Sequence, residues 1–178
     1  EKGCVLLIDE IDKSDPEFEA FLLEVLSDFQ VSVPELGTIK AKVKPIVFLT
    51  SNNTREMSDA LKRRCLHLHI TFPEPALERR ILERRVPGLS DTLNRELVAF
   101  IQAVRQLDLK KLPSVSETID WAKTLLLLNA EHLSLDLVRD TLNVFLKFEQ
   151  DIATANEQMG NLLQQARKDA ELPHASHA

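Results

Sequence analysis

The stretch Cys4-Val5-Leu6-Leu7-Ile8-Asp9-Glu10-Ile11-Asp12 (CVLLIDEID) decides how the fold is read. Five apolar residues run directly into carboxylates. A run that short and that apolar suits a strand buried on both faces of a sheet. Carboxylates are not held inside such a sheet unless they are paired or bind a metal. Asp9 and Glu10 are therefore expected just past the strand's C-terminal end, where an α/β sheet binds its ligands. Asp12 reads as a solvated residue or a cap of the next turn.

Working outward, Ser14-Asp15-Pro16-Glu17 has the spacing of a capping box with proline in the first turn. Phe18, Phe21, Leu22, Val25, Leu26 and Phe29 follow at helical spacing, which predicts a helix over about residues 15–28. Residues 30–43 change to period two around Pro34-Glu35-Leu36-Gly37, the pattern of a β-hairpin. Lys40, Lys42 and Lys44 line the opposite face of its second strand, either as a solvated edge or as a contact surface. Residues 46–50 read as a second buried strand ending in the polar loop Ser51-Asn52-Asn53-Thr54-Arg55. A short helix over about residues 58–63 leads through Arg64 to a predicted third strand over residues 65–71. Phe72-Pro73-Glu74-Pro75 reads as a linker, giving a first domain over residues 1–73.

Beyond the linker the periodicity is helical. The predicted helices cover about residues 76–86, 90–107, 114–129 and 134–151, with a second capping box at Ser114 and Glu117. Leu93, Leu97, Phe100, Ile101 and Val104 form one apolar stripe; Ile119, Ala122, Leu125 and Leu126 form another. Trp121 is expected in the core, and the apolar run at residues 124–128 reads as core helix. This gives a helical domain over residues 74–151 and a polar tail over 152–178, expected to be partly disordered, above all at 172–178.

The composition, 44% hydrophobic and 28% charged, is that of a soluble globular protein. No apolar run approaches the roughly 18–20 residues that span a bilayer, so no membrane role is expected. The net charge of −6 gives no support to nucleic-acid binding. Cys4 and Cys65 share no metal spacing and read as free thiols of a reducing, cytoplasmic compartment. His67 and His69 alternate on one strand without a visible third zinc ligand.

The chemistry follows from the strand ends. A carboxylate at Asp9 can hold Mg²⁺, and one at Glu10 can orient and deprotonate a water beside a triphosphate. If the two strands are neighbours, Asn52 or Asn53 reaches the same crevice and can hold that water. Each amide can equally belong to an ordinary Asx turn. Arg63 and Arg64, at a helix end, carry the guanidinium suited to charge on a transferred phosphoryl group, and can equally be a surface pair at a helix C-terminus.

The order of these features resembles the second half of an AAA+ ATPase module. VLLIDEID is similar to its Walker B motif, TSNN to sensor 1 and ALKRRC to the arginine-finger segment. The hairpin before TSNN and the stretch LPSVSETIDWAK resemble the MoxR-type branch, in particular the ATPases of the carbon monoxide dehydrogenase maturation type. The resemblance covers about residues 2–148. It implies an α/β fold, a partial P-loop NTPase αβα core followed by a small all-α lid. It implies ATP and Mg²⁺, with Asp9 at the metal and binding nucleotide and Glu10 as the catalytic glutamate. It implies Asn52 as the sensor, with Asn53 as the alternative one residue on. It implies Arg64 reaching into a neighbouring subunit, with Arg63 as second choice. It further implies a ring, usually a hexamer, that remodels or activates partner proteins, some carrying a von Willebrand factor A domain, as in metalloenzyme maturation.

Two features depart from that family. The phosphate-cradling G-x-x-x-x-G-K-[ST] is absent, and the four glycines are too scattered to form it. The chain is therefore expected to be a fragment whose Walker A loop lies upstream, inactive alone, with an unpaired sheet edge and uncovered apolar surface. At Ser114-Val115-Ser116-Glu117 no sensor-2 arginine is present, leaving Lys110 or Lys111 as possible substitutes. The alternative from another class is a non-hydrolysing interaction module. A DNA-acting AAA+ component is disfavoured by the charge.

Overall fold

In the computed structural model, residues 3–171 are described, and they divide between residues 70 and 71 into two compact units. The class is mixed α/β. In the first unit, strand β1 (Val5–Ile8) leads through a single 3₁₀ turn (Ile11–Lys13) into helix α1 (Pro16–Asp28). Strands β2 (Gln30–Val33) and β3 (Gly37–Lys40) form the expected antiparallel hairpin, but its second strand ends at Lys40, so Lys42 and Lys44 lie beyond it and the three lysines do not line one strand face. Strand β4 (Ile46–Leu49) and the short helix α2 (Asp59–Lys62) follow.

The β1 and β4 strands pair in parallel, Val5 opposite Ile46 through Ile8 opposite Leu49. This register puts both C-terminal ends at one edge. The pair is covered on one face only. Ile8 and Leu49 pack toward a small core of Ile11, Leu22 and Leu61. Val5, Leu7, Ile46 and Phe48, which share the other face, are 57–66% exposed. The expectation of burial on both faces therefore holds for one face, because no described element packs over the other.

The expected third strand at residues 65–71 does not form. Leu66, Leu68 and Ile70 are exposed and no described strand pairs with them. A strand needs a neighbour to satisfy its N–H and C=O groups, and alternating apolar residues do not supply one. The cap of α1 also differs from the sequence reading. Asp15, not Ser14, is the N-cap, its carboxylate accepting from Phe18 N–H at 2.7 Å. Pro16 disfavours helical backbone at the residue before it, and so leaves Asp15 extended in the cap position. Ser14 instead donates to the Ile11 carbonyl. In the hairpin, Pro34 and a left-handed Glu35 (φ 70°) make the turn that closes with Leu36 N–H on the Val33 carbonyl.

The second unit is all helical: α3 (Pro75–Arg85), α4 (Asp91–Val104), α5 (Val115–Leu127), α6 (Leu135–Phe145) and α7 (Glu149–Glu171). Serines at 90, 114 and 134 cap three of these helices through the N–H three residues on, and Ser114 with Glu117 forms the expected capping box. The stripe on α4, from Leu93 to Val104, is buried. Trp121 is fully buried against Phe145 and Phe100, with ring centroids 4.5 and 5.5 Å away, and its indole N–H donates to Thr141 Oγ1 at 2.8 Å. Of the run at 124–128 only Leu125 is core. Leu127 and Leu128 are exposed at the end of α5.

The helix expected over residues 134–151 is two helices, broken where Leu146 turns extended. The polar tail expected from residue 152 is corrected up to residue 171. There α7 presents Ala155, Met159, Leu162, Leu163 and Ala166 as one buried stripe at helical spacing, packed chiefly along α4. The boundary at 151 falls in the first turn of α7, where the Asp151 carboxylate accepts the Lys110 and Lys111 N–H groups. The disorder expected at 172–178 lies outside the described residues. Among the described residues no helix is long and apolar enough to cross a membrane.

A buried ion pair organises this unit. Arg105 grips Glu78 in a bidentate pair at 2.7 and 2.8 Å, and Thr118 and Gln102 donate to the same carboxylate. Arg105 also donates to the Pro113 carbonyl and lies 4.4 Å from the Phe72 ring centre. Removing one partner strands a buried charge, which costs about 3–5 kcal/mol. Glu78→Ala is therefore expected to lower the unit's stability by that amount, read as the urea midpoint followed by Trp121 fluorescence. An unchanged midpoint would contradict the assignment.

Candidate functional site

The parallel register brings Asp9 and Glu10, one and two residues past β1, beside Thr50 and Asn52 past β4. Thr50 is the joint between them. Its hydroxyl donates to Asp9 Oδ1, accepts from Glu10 N–H at 3.0 Å, and its backbone exchanges with Ile8 and Ile11. Glu10 sits in the left-handed region (φ 53°, ψ 47°), an uncommon state for a residue with a side chain and one that turns the carboxylate off the strand line. Glu10 Oε1 accepts from Asn52 Nδ2 at 3.2 Å, and Oε2 is paired with Lys13 Nζ at 2.6 Å. Of the two candidate amides, it is Asn52 that meets Glu10. Asn53 is left-handed (φ 57°), its N–H donating to Ser51 Oγ in the local turn.

The two arginines do not join this group. Arg64 donates from Nε to Ser27 Oγ at 2.5 Å and from Nη1 to the Ala60 carbonyl at 2.9 Å. Arg63 is exposed at the end of α2. Lys110 lies over the Phe148 ring and Lys111 pairs with Glu117, so each has a structural partner within the helical unit. His67 lies 3.1 Å from the Lys62 carbonyl.

The sequence reading missed a second layer of the site. Asp12, expected to be solvated or to cap a turn, is only 3% exposed. Its carboxylate accepts from Asn52 N–H (3.2 Å), Thr54 N–H (2.9 Å) and Thr54 Oγ1 (2.5 Å). Arg55 reaches back to the carbonyls of Asp12 and Ser14 and pairs with Glu19, which also takes the Ser58 N–H. The signal was present as DEID followed forty residues later by TSNNT, but pairing them requires the strand register.

Asp9 can serve a divalent cation. Its Oδ2 takes no hydrogen bond from the described residues, and a hard oxygen at a strand end suits Mg²⁺, which is held by one or two carboxylates together with substrate phosphates. Comparison of the chain with protein-family models and with curated proteins gives no match.

The Thr54 hydroxyl, helped by the Thr54 and Asn52 N–H groups, holds the Asp12 carboxyl well below the usual carboxylate range. Burial pushes Glu19 up, but the Ser58 N–H and Arg55 outweigh it and the net direction is down. A depressed folded-state pKa stabilises above the unfolded value and loses that stabilisation as the pH falls through the folded one. Amide-exchange protection of Asn52 and Thr54 is thus expected to decline as the pH is lowered from about 5 to below about 3. Protection that stays constant across this range would contradict the network.

Proposed function

We propose that the chain carries the catalytic back half of an AAA+ nucleoside triphosphatase of the MoxR-type branch, resembling the ATPases of carbon monoxide dehydrogenase maturation. On this reading the first unit is part of a P-loop αβα core and the helical unit is its lid. The observation that carries the proposal is the convergence, at the C-terminal edge of two adjacent parallel strands, of Asp9, Glu10 and Asn52, with Asn52 Nδ2 on Glu10 Oε1. Two acids and an amide at a strand edge are the groups needed to manage a metal, a water and a γ-phosphate. The uncovered face of β1 and β4 and the unpaired apolar segment at residues 65–70 also fit a sheet that is wider in the intact protein. The phosphate-cradling loop has to come from outside these residues.

In this mechanism Glu10 accepts the proton of the attacking water. Asn52 holds the Glu10 carboxylate in line and shares the water. Asp9 would hold Mg²⁺, which would offset the charge of the phosphates. Lys13 must release Glu10 Oε2 before Glu10 can act, which is cheap, because both side chains are exposed and solvent screens the pair. Arg64 exchanges its Ser27 and Ala60 partners for a neighbouring subunit's nucleotide in a ring, a hexamer by resemblance. The work is remodelling of a protein client in the cytoplasm, of the kind that bears a von Willebrand factor A domain.

The test is ATP turnover by the intact protein and by its Glu10→Gln variant. The variant is expected to lose on the order of 100-fold or more in kcat while still binding ATP. Equal rates in the two proteins would overturn the assignment and leave an interaction module.

A further inference from the structure

Asn52 lies on an irregular segment, and nothing in β4 itself fixes where its amide points. The segment is fixed from the other strand. All three groups that donate to the Asp12 carboxylate belong to residues 52–54, and two of them are backbone N–H groups. One of those is the N–H of Asn52 itself. Asp12 is in turn held in place. It lies in the 3₁₀ turn whose first N–H, that of Ile11, is bonded to the Thr50 carbonyl, and its own carbonyl accepts from Arg55. The segment is thus stitched to the turn after β1 on both sides of Asn52, at Thr50 and at Thr54.

We propose that Asp12 is a positioning residue for hydrolysis: by holding the Asn52 and Thr54 backbone, it aims the Asn52 amide at Glu10. The inference rests on the hydrolase reading above and names a residue that the motif resemblance gives no role. Asp12 is separated from the chemistry by Asn52, so it acts through geometry and touches neither nucleotide nor water. A buried carboxylate that accepts three hydrogen bonds resists displacement, because each donor would otherwise lose its partner. A displacement of about 1 Å in a positioning group can cost on the order of 100-fold in rate.

The experiment is a double-mutant cycle in the intact protein, with kcat and ATP affinity measured for wild type, Asp12→Asn, Asn52→Ala and the double variant. Asp12→Asn keeps the volume but replaces an acceptor oxygen with a donor that faces other donors. It is expected to lower kcat by on the order of 10- to 100-fold while ATP affinity stays within about twofold. In the Asn52→Ala background the same change is expected to alter kcat by less than about twofold, because there is no amide left to aim. A residue that merely supports folding would lower kcat by the same factor in both backgrounds, and that additive result would overturn the proposal. So would an unchanged kcat in Asp12→Asn. If Asp12→Asn does not fold, Thr54→Val takes its place in the cycle. It removes only the hydroxyl bond, with the same coupling expected at smaller size. Absence of ATP hydrolysis in wild type would overturn the hydrolase reading itself, and this inference with it. Hydrolysis with additive variants overturns this inference alone.

Discussion

The parallel pairing of two four-residue strands is the constraint on which the site depends. Antiparallel pairing of the same segments would send Asp9 and Asn52 to opposite edges. In the observed register the two chains leave the sheet side by side, and Thr50 joins them with one hydroxyl and two backbone groups. Everything at the edge then follows from short covalent reach. Glu10 turns left-handed, Asp12 comes inward one turn later, and the Ser51–Arg55 loop is drawn onto both. The side chains of Asn52, Thr54 and Arg55 are partnered across the gap between strands, whereas Ser51 accepts from Asn53 N–H within its own turn.

The helical unit is organised differently, by a charge pair in an apolar interior. Glu78 and Arg105 are both nearly inaccessible, which is tolerable only because Thr118, Gln102 and the Pro113 carbonyl complete their hydrogen bonding. The pair joins α3 to the end of α4, and Thr118 brings in α5. The Phe72 ring over Arg105 and the Gln102 bond to the Pro73 carbonyl tie the linker residues to this unit. Apolar packing around Trp121 and along α7 supplies the bulk of the burial, and the ion pair specifies how three helices meet.

What could be read from the sequence was what depends on near neighbours. The α4 stripe, the Ser114 capping box, the hairpin turn and the junction of an apolar run with acids are all local patterns, and each is present. Two failures are local, the Asp15 cap of α1 and the break at Leu146, and the others concern distant partners. Residues 65–71 have the alternation of a strand but no pairing neighbour among the described residues, and pattern alone does not reveal that. Asp12 reads as a surface acid because the three donors that bury it lie forty residues away. The stripe on α7 is spaced widely among Asn, Gln and Glu, so the segment reads as a polar tail until α4 is placed against it. Asn52 and Asn53 could not be separated by one-dimensional spacing. The register and the left-handed Asn53 separate them.

The most direct measurement is a calorimetric titration of ATP into the intact protein, with and without Mg²⁺, for wild type and for Asp9→Ala. If the acidic strand end serves a metal and a triphosphate, wild type binds ATP more tightly with Mg²⁺ than without it, and Asp9→Ala abolishes that difference. ATP binding that is indifferent to Mg²⁺ in wild type, or no binding at all, would contradict the account.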